Sequence, residues 1–445
     1  MSQFRLKYLL SENDGGIWGG DPTGVDDTPV LRSTEQNSDG SWRLTEAALR
    51  SLSVSERNRY QLLEGDIVVT KSSGSDDHIG KSSIVTSDIA DLRPAYSNFM
   101  QKLRVRKDVC PRFVWHVLNS RPTRHHYVVE ASSTSGLGNL TGGILARVPV
   151  LRIDLPTQKR IAAFLDRETA RVDELIAKKV AFADLILARE EASFLAAVTG
   201  RSAAGPRLPS GVEWIGDLPE GWLAPKFTMV ARQETGHTPS RKEPDYWIPE
   251  ECVIPWLSLA DVWQLRSGEA VYLHDTAEKI SEFGMANSSA RLLPKDTVVL
   301  SRTASVGFAA IMGCPMATTQ DFAGWICGPK IRPKFLYYVL RAMKPEFRRL
   351  MMGSTHQTIY MPDIRAFRTP LPPLAEQDRI IDRLDATIGI YRQVHSRIQS
   401  SIQTLREYRA ALITAAVTGQ IDVDTYTKAG ANSATLDRIA EDMEA

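Results

Sequence analysis

The chain has 445 residues, 43% hydrophobic and 24% charged, with a formal net charge of +1. That is ordinary soluble globular composition, long enough for roughly two to four domains. The near-neutral balance excludes a chain that is basic throughout, so any polyanion-binding face has to be local. In chain order, residues 1–152 form a first unit of short apolar runs between loops rich in glycine, serine and asparagine. This predicts mixed α/β structure dominated by irregular sheet. Leu62 to Val69 reads as a strand entered through a turn, and Pro111 to Leu118 as a short helix opened by proline. Residues 153–200 read as a long helix ending at Gly200, which suits a left-handed C-terminal cap. Residues 201–210 form a linker containing proline, glycine and serine. Residues 211–370 repeat the landmarks of the first unit in the same order, with Leu292 to Val299 matching Leu62 to Val69 and Pro333 to Leu340 matching Pro111 to Leu118. Residues 371–423 form a second long helix, ending at Gly419. Residues 424–445 are a polar, mostly acidic tail with a short helix at Ala434 to Met443.

The two helical segments are copies of each other at a constant offset of 219 residues. Gln158, Arg160, Ile161, Leu165 and Asp166 match Gln377, Arg379, Ile380, Leu384 and Asp385, and the run Ala196 to Gly200 matches Ala415 to Gly419. A period this long excludes a solenoid and predicts two copies of a unit-plus-helix module, a pseudo-dimer in one chain. A heptad frame gives each helix an apolar seam. In the first it selects Ile161, Leu165, Val172, Leu175, Phe182 and Ile186; in the second Ile380, Leu384, Tyr391, Val394, Ile398, Leu405 and Leu412. Two seams of matching length predict mutual, antiparallel packing of rods roughly 65 Å long, with one globular unit near each end.

Basic residues cluster at corresponding places of the two units: Lys102, Arg104, Arg106, Lys107, Arg112, Arg121, Arg124, His125 and His126 in the first, Lys330, Arg332, Lys334, Arg341, Lys344, Arg348 and Arg349 in the second. Such a bias, repeated in diverged units, points to phosphate contact. Catalytic motifs fail. Gly74 to Ser82 looks like a phosphate loop, but five residues separate its glycines where four are needed. The adjacent His125 and His126 have no metal-ligand spacing, and Cys110, Cys252, Cys314 and Cys327 have no CxxC pair and read as reduced thiols. No dinucleotide fingerprint and no amino-methyltransferase motif is present. No stretch is long enough to span a bilayer, and the reading is a cytoplasmic protein.

Pro370 to Ile380, the long helix after it and Ala415 to Gly419 resemble the C-terminal conserved region of type I restriction-modification DNA specificity subunits. Pro156 to Ile161, Phe164 to Asp166, Thr169 to Asp173 and Ala196 to Gly200 resemble the family's central conserved region, and Gly211 to Trp222 looks like the usual opening of a target-recognition domain. The first unit lacks that opening. The resemblance implies an α+β fold: two mixed, sheet-rich target-recognition domains separated by two long helices packed as an antiparallel coiled coil, with pseudo-two-fold symmetry. It implies that each domain reads half of a bipartite, gapped site in double-stranded DNA, and that the helices set the gap and dock two modification subunits. It implies no enzyme activity or cofactor here. S-adenosylmethionine, ATP and Mg belong to the modification (methyltransferase) subunits and the ATP-dependent restriction subunits. Candidate DNA contacts are Lys71, Ser72, Ser73, Lys81, Arg124, Arg302, Thr303, Gln320, His356 and Gln357: cations for phosphates, amides and hydroxyls for base edges. The alternative is a tandem-domain scaffold with no DNA role, docking partners through its coiled coil.

Overall fold

The structure, a computed structural model, describes residues 3–426 except 38, 45–46, 73–78, 132–138, 267, 269 and 352–356. The expected tail helix and the candidates Ser73 and His356 lie outside the described residues. The chain divides into two units, the first of residues 1–180 and 399–445, the second of residues 181–398.

In the first unit, β1 (Leu10–Gly15), β2 (Ile67–Thr70), β3 (Ser82–Ile84) and β4 (Met100–Val105) form an antiparallel sheet in the order β1-β4-β2-β3. The β-branched run of β2 is buried on both faces, which suits a central strand. Ile67 and Val69 enter one core with Phe113, Val114 and Val117 of helix α1 (Pro111–Leu118); Val68 enters another with Leu31, Tyr96 and Met100. A smaller sheet sets Thr28–Leu31 between antiparallel Ala48–Arg50 and parallel Ala95–Tyr96. The first unit also holds the beginning of helix α2 (Leu155–Val198).

The second unit repeats this plan. Its strands β5 (Ala231–Thr235), β6 (Tyr272–Leu273), β7 (Val298–Ser301), β8 (Ala309–Met312) and β9 (Phe322–Cys327) run in the order β5-β9-β7-β8-β6. Cys252–Leu257 lies between antiparallel Lys279–Ser281 and parallel Ala317–Thr318. Helix α3 (Pro333–Ala342) takes the place of α1. The sequence similarity of the two strand entries is off by one residue. Gly65 (φ +85) and Asp296 (φ +67) occupy the same left-handed turn position, and their N–H groups donate to Val85 O (2.9 Å) and Met312 O (2.8 Å). Ile67 is therefore equivalent to Val298, not Thr297. A slip of one would turn the core face outward.

Helix α2 and helix α4 (Leu374–Val417) have 44 residues each. In the first unit the start of α2 packs on the end of α4: Ile161 and Leu165 share a core with Leu412, Ile413, Ala416 and Val417, and Asp173 pairs with Arg409 at 2.9 Å. In the second unit the end of α2 packs on the start of α4, with Phe194 and Val198 in one core with Ile380, Leu384 and Ile388. Each pairing is antiparallel. Of the expected seam, Ile161, Leu165, Val172, Ile380, Leu384, Ile398, Leu405 and Leu412 are buried, while Leu175, Ile186, Tyr391 and Val394 are half-buried. Phe182 is not part of it. It is 45% exposed, and Ala183 takes the buried position beside it. The packed stripe instead runs through polar residues, Thr169, Lys179 and Glu190, and on α4 through Ile388 and Ile402. Both helices end as expected. Gly200 (φ +61) and Gly419 (φ +71) are left-handed, and the following N–H groups of Arg201 and Gln420 reach back to Ala196 O and Ala415 O, each at 2.8 Å. The expected linker is partly ordered as strand: Arg207–Pro209 pairs with Asp217–Pro219, and the Arg207 guanidinium donates to the carbonyls of Gly200 (2.6 Å) and Thr199 (3.2 Å) at the end of α2.

The repeated polar residues of the helices are joints. Gln158 Oε1 accepts the N–H of Cys110 (2.9 Å) and Gln377 Oε1 that of Arg332 (2.8 Å), in each case the residue before α1 or α3. Their Nε2 groups donate to Ile153 O (3.1 Å) and Pro372 O (2.9 Å). Asp166 holds His116 at 2.9 Å and Arg112 at 3.1 Å; Asp385 holds Tyr338 and, at 2.6 Å, Lys334. The spacing of ligand positions along each unit is the same, so one latch is built twice.

The two latches differ in a titratable group. Burial lowers the pKa of His116 below its usual 6.5; Asp166 opposes this, and Arg409 and Arg112 reinforce it. A base with a depressed folded-state pKa binds fewer protons folded than unfolded. Its stabilisation is complete above the unfolded value and is lost as pH falls below it. Tyr338 carries no such charge change, since burial and Asp385 raise its pKa. Acidifying from about pH 7.5 to about 5.5 should therefore lower the melting temperature of the wild type more than that of H116Y. Thermal unfolding of both across that range checks this; equal slopes would refute it.

Candidate nucleic-acid interface

The candidates from the sequence assemble at one edge in each unit, on a shared backbone frame. Lys71 follows β2 and Arg302 follows β7. The Lys71 N–H donates to Phe99 O and the Arg302 N–H to Asp321 O, both at 2.8 Å. The Lys71 carbonyl accepts from Leu140 N–H (3.0 Å) and the Arg302 carbonyl from Ile359 N–H (2.9 Å). Three segments thus meet in each unit: a strand end, the turn before the long last strand of the sheet (β4 or β9), and the chain leading into the next helix.

In the second unit this frame brings Arg302, Thr303, Gln320 and Gln357 together. Arg302 Nε donates to Gln320 O at 2.9 Å, and Gln320 Oε1 accepts from Thr238 at 2.7 Å. Thr303 bridges to Thr358, and Ala304, in a left-handed conformation (φ +57), donates its N–H to Gln357 O at 2.9 Å. Gln320 and Gln357 are exposed. In the first unit Lys71 and Ser72 are half-exposed at the equivalent strand end. Lys81 lies across the hairpin, its carbonyl bonded to Thr70 N–H at 2.9 Å, and Arg124 donates to Ile79 O. Burial lowers the pKa of Lys71; burial and the charges of Arg124 and Arg43 lower that of Lys81. Cations held this close disfavour each other's charge, and a bound phosphate would relieve that cost.

The two basic clusters have a different role from the one their composition suggests. Most of their members are in intramolecular ion pairs. Lys102 and Arg104 pair with Glu12, Arg104 also with Asp66, and Arg112 with Asp166. In the second unit Arg332 pairs with Asp378, Lys334 with Asp385, Arg341 with Glu190 and Lys344 with Glu191. The pairs of Lys102 and Arg104 tie strands of the sheet together and the others tie helices, so these paired cations are committed to the fold. Sequence reasoning also missed the turn at Asn98 and Phe99, which the Lys71 bond makes equivalent to Gln320 and Asp321. Both residues are exposed.

The class that this fold and frame define is a duplicated two-unit protein, one scaffold built twice with different exposed side chains. Residues 230–403 match the family model of the type I restriction modification DNA specificity domain. Among curated proteins, the chain is 29% identical over 168 residues to the type I restriction enzyme MjaIX specificity subunit of Methanocaldococcus jannaschii, covering 37% of this chain and 38% of that protein. It is 25% identical over 232 residues to the StySPI specificity subunit of Salmonella potsdam, covering 50% and 47%. The chain spans less than half the length of these curated relatives. Among solved structures, it shares a fold (TM-score 0.72, 16% identity, 94% of this chain and 98% of that chain) with one from work on complex assembly and conformational transition of the type I R-M system. The HsdS subunit of Thermoanaerobacter tengcongensis aligns at TM-score 0.53, with 16% identity over 94% of this chain and 97% of that one. The chain is thus similar to type I restriction-modification specificity subunits, with residues 230–403 matching the model of their DNA specificity domain.

Proposed function

We propose that this chain is the DNA specificity subunit of a type I restriction-modification complex. Each unit reads one half of a bipartite target in double-stranded DNA, and the long helices set the unread gap and dock two modification subunits. Chemistry belongs to the partners: S-adenosylmethionine with the modification subunits, ATP and Mg with the restriction subunits. The chain itself only recognises, and it acts in the cytoplasm. No helix among the described residues is long and apolar enough to cross a membrane.

The observation that carries this reading is the twice-built frame around Lys71 and Arg302. The backbone bonds are the same, while the side chains at the exposed positions differ. A protein that must read two different half-sites needs such an arrangement: phosphate-holding cations at fixed places, base-reading groups free to vary. The test is to replace residues 222–370 with the same block of a relative, assemble the complex with its modification subunits, and map methylated DNA. One half of the methylated sequence should change and the other remain. A change in both halves would refute modular reading. A wild-type complex that shifts no DNA in a gel would leave only a protein-docking scaffold.

A further inference from the structure

Resting on that reading, we propose that the turn carrying Asn98 and Phe99 is a base-reading tip of the first unit, with Asn98 recognising an adenine edge. The turn is closed by Met100 N–H donating to Ser97 O at 2.9 Å. Its counterpart, Thr319 to Phe322, is closed by Phe322 N–H donating to Thr319 O at 3.3 Å. The central residues are Asn98-Phe99 in one unit and Gln320-Asp321 in the other. An amide therefore stands at the same position of both tips, although nothing in the sequence aligns them.

Both tips are braced from beneath. Gly16 lies so close under the first that a Cβ there would sit 2.3 Å from the carbonyl oxygens of Ser97 and Tyr96; at Gly236 it would sit 1.8 Å from Thr318 O. The next N–H groups, of Ile17 and His237, donate to Tyr96 O (2.9 Å) and Thr318 O (3.0 Å). With the Lys71 bond to Phe99 O, the first tip is tied on both sides. A rigid mount is what a reading group requires, since its ordering cost has already been met on folding.

The side chains on this mount have no structural employment. Asn98 is exposed, and its amide has no hydrogen-bond partner among the described residues. Phe99 is 56% exposed at the summit of the turn. A carboxamide offers one donor and one acceptor side by side, which complements the N6 and N7 edge of adenine in the major groove. The neighbouring ring of Phe99 supplies apolar contact, and Lys71 a cation for the adjoining phosphate.

The experiment uses the complex assembled with its modification subunits. Methylation is mapped for the wild type, N98A and F99A, and competition binding is measured with oligonucleotides varied base by base, which gives a reading even where methylation is lost. N98A should relax discrimination at one base position of one half-site, by roughly tenfold or more, and leave the other half-site unchanged. F99A should weaken binding without altering the preferred sequence. A wild-type complex without a bipartite target would overturn the functional reading itself. A wild type with one, whose N98A variant keeps the same preference at every position, would overturn this inference alone.

Discussion

Replacing Glu12 with alanine should destabilise the first unit by about 3–5 kcal/mol, the cost of stranding a buried charge. The Lys102 side chain is 1% exposed, and its ammonium lies 2.6 Å from Glu12 Oε2. Glu12 Oε1 reaches Arg104, whose guanidinium forks onto the two oxygens of Asp66, both at 2.7 Å. Burial raises the pKa of Glu12, but Lys102 and Arg104 outweigh it and hold the carboxyl below its usual value. Among the described residues the second unit has no buried lysine in this place. Gly324 stands opposite Glu234 where Lys102 stands opposite Asp14, and Ile326 takes the place of Arg104. The loss should therefore be confined to the first unit. It should be largely recovered in E12A/K102M, where an apolar chain of similar length replaces the stranded cation. Denaturant unfolding of the three proteins decides the matter. An E12A variant as stable as the wild type would show that water reaches Lys102 after all.

The second large effect is expected at Gln377, which is fully buried and makes three hydrogen bonds. It accepts from Arg332 N–H and donates to Lys330 O and Pro372 O, both at 2.9 Å. Leucine in its place fills the volume and satisfies none of these backbone groups. At about 1–3 kcal/mol for each buried polar group left unpaired, Q377L should cost about 3 kcal/mol or more. Gln158 makes one bond fewer, to Cys110 N–H and Ile153 O, and Q158L should cost less. Hydrogen exchange at α3 and α1 checks the order of the two. Equal protection loss in both variants, or none, would contradict the latch.

The duplicated helices were legible because their ends repeat residue for residue, and those residues turn out to be the latches and caps. The inner part of the seam was not. Lys179 and Glu190 occupy packed positions there, so an apolar heptad frame drifts off the true stripe and selects Phe182. The basic clusters misled for a related reason. Their carboxylate partners are remote in sequence, as with Glu12 and Lys102 or Lys334 and Asp385, and composition shows only the cations. At the candidate interface, Arg302, Thr303, Gln320 and Gln357 were found by residue type, and the structure does gather them. Asn98 carried no signal, because its equivalence to Gln320 exists only in the hydrogen bonds of the fold.

One consequence follows from the latch being built twice with the same geometry. What both sockets ask of their heads is a backbone N–H, a cation and a ring with a polar atom, two of them on one face of a short helix. Nothing at the socket inspects the loops that face outward. A cassette that carries those few groups can be exchanged for another, and the two slots can in principle trade occupants, so new pairings arise by shuffling whole pieces and leave the supporting stem untouched.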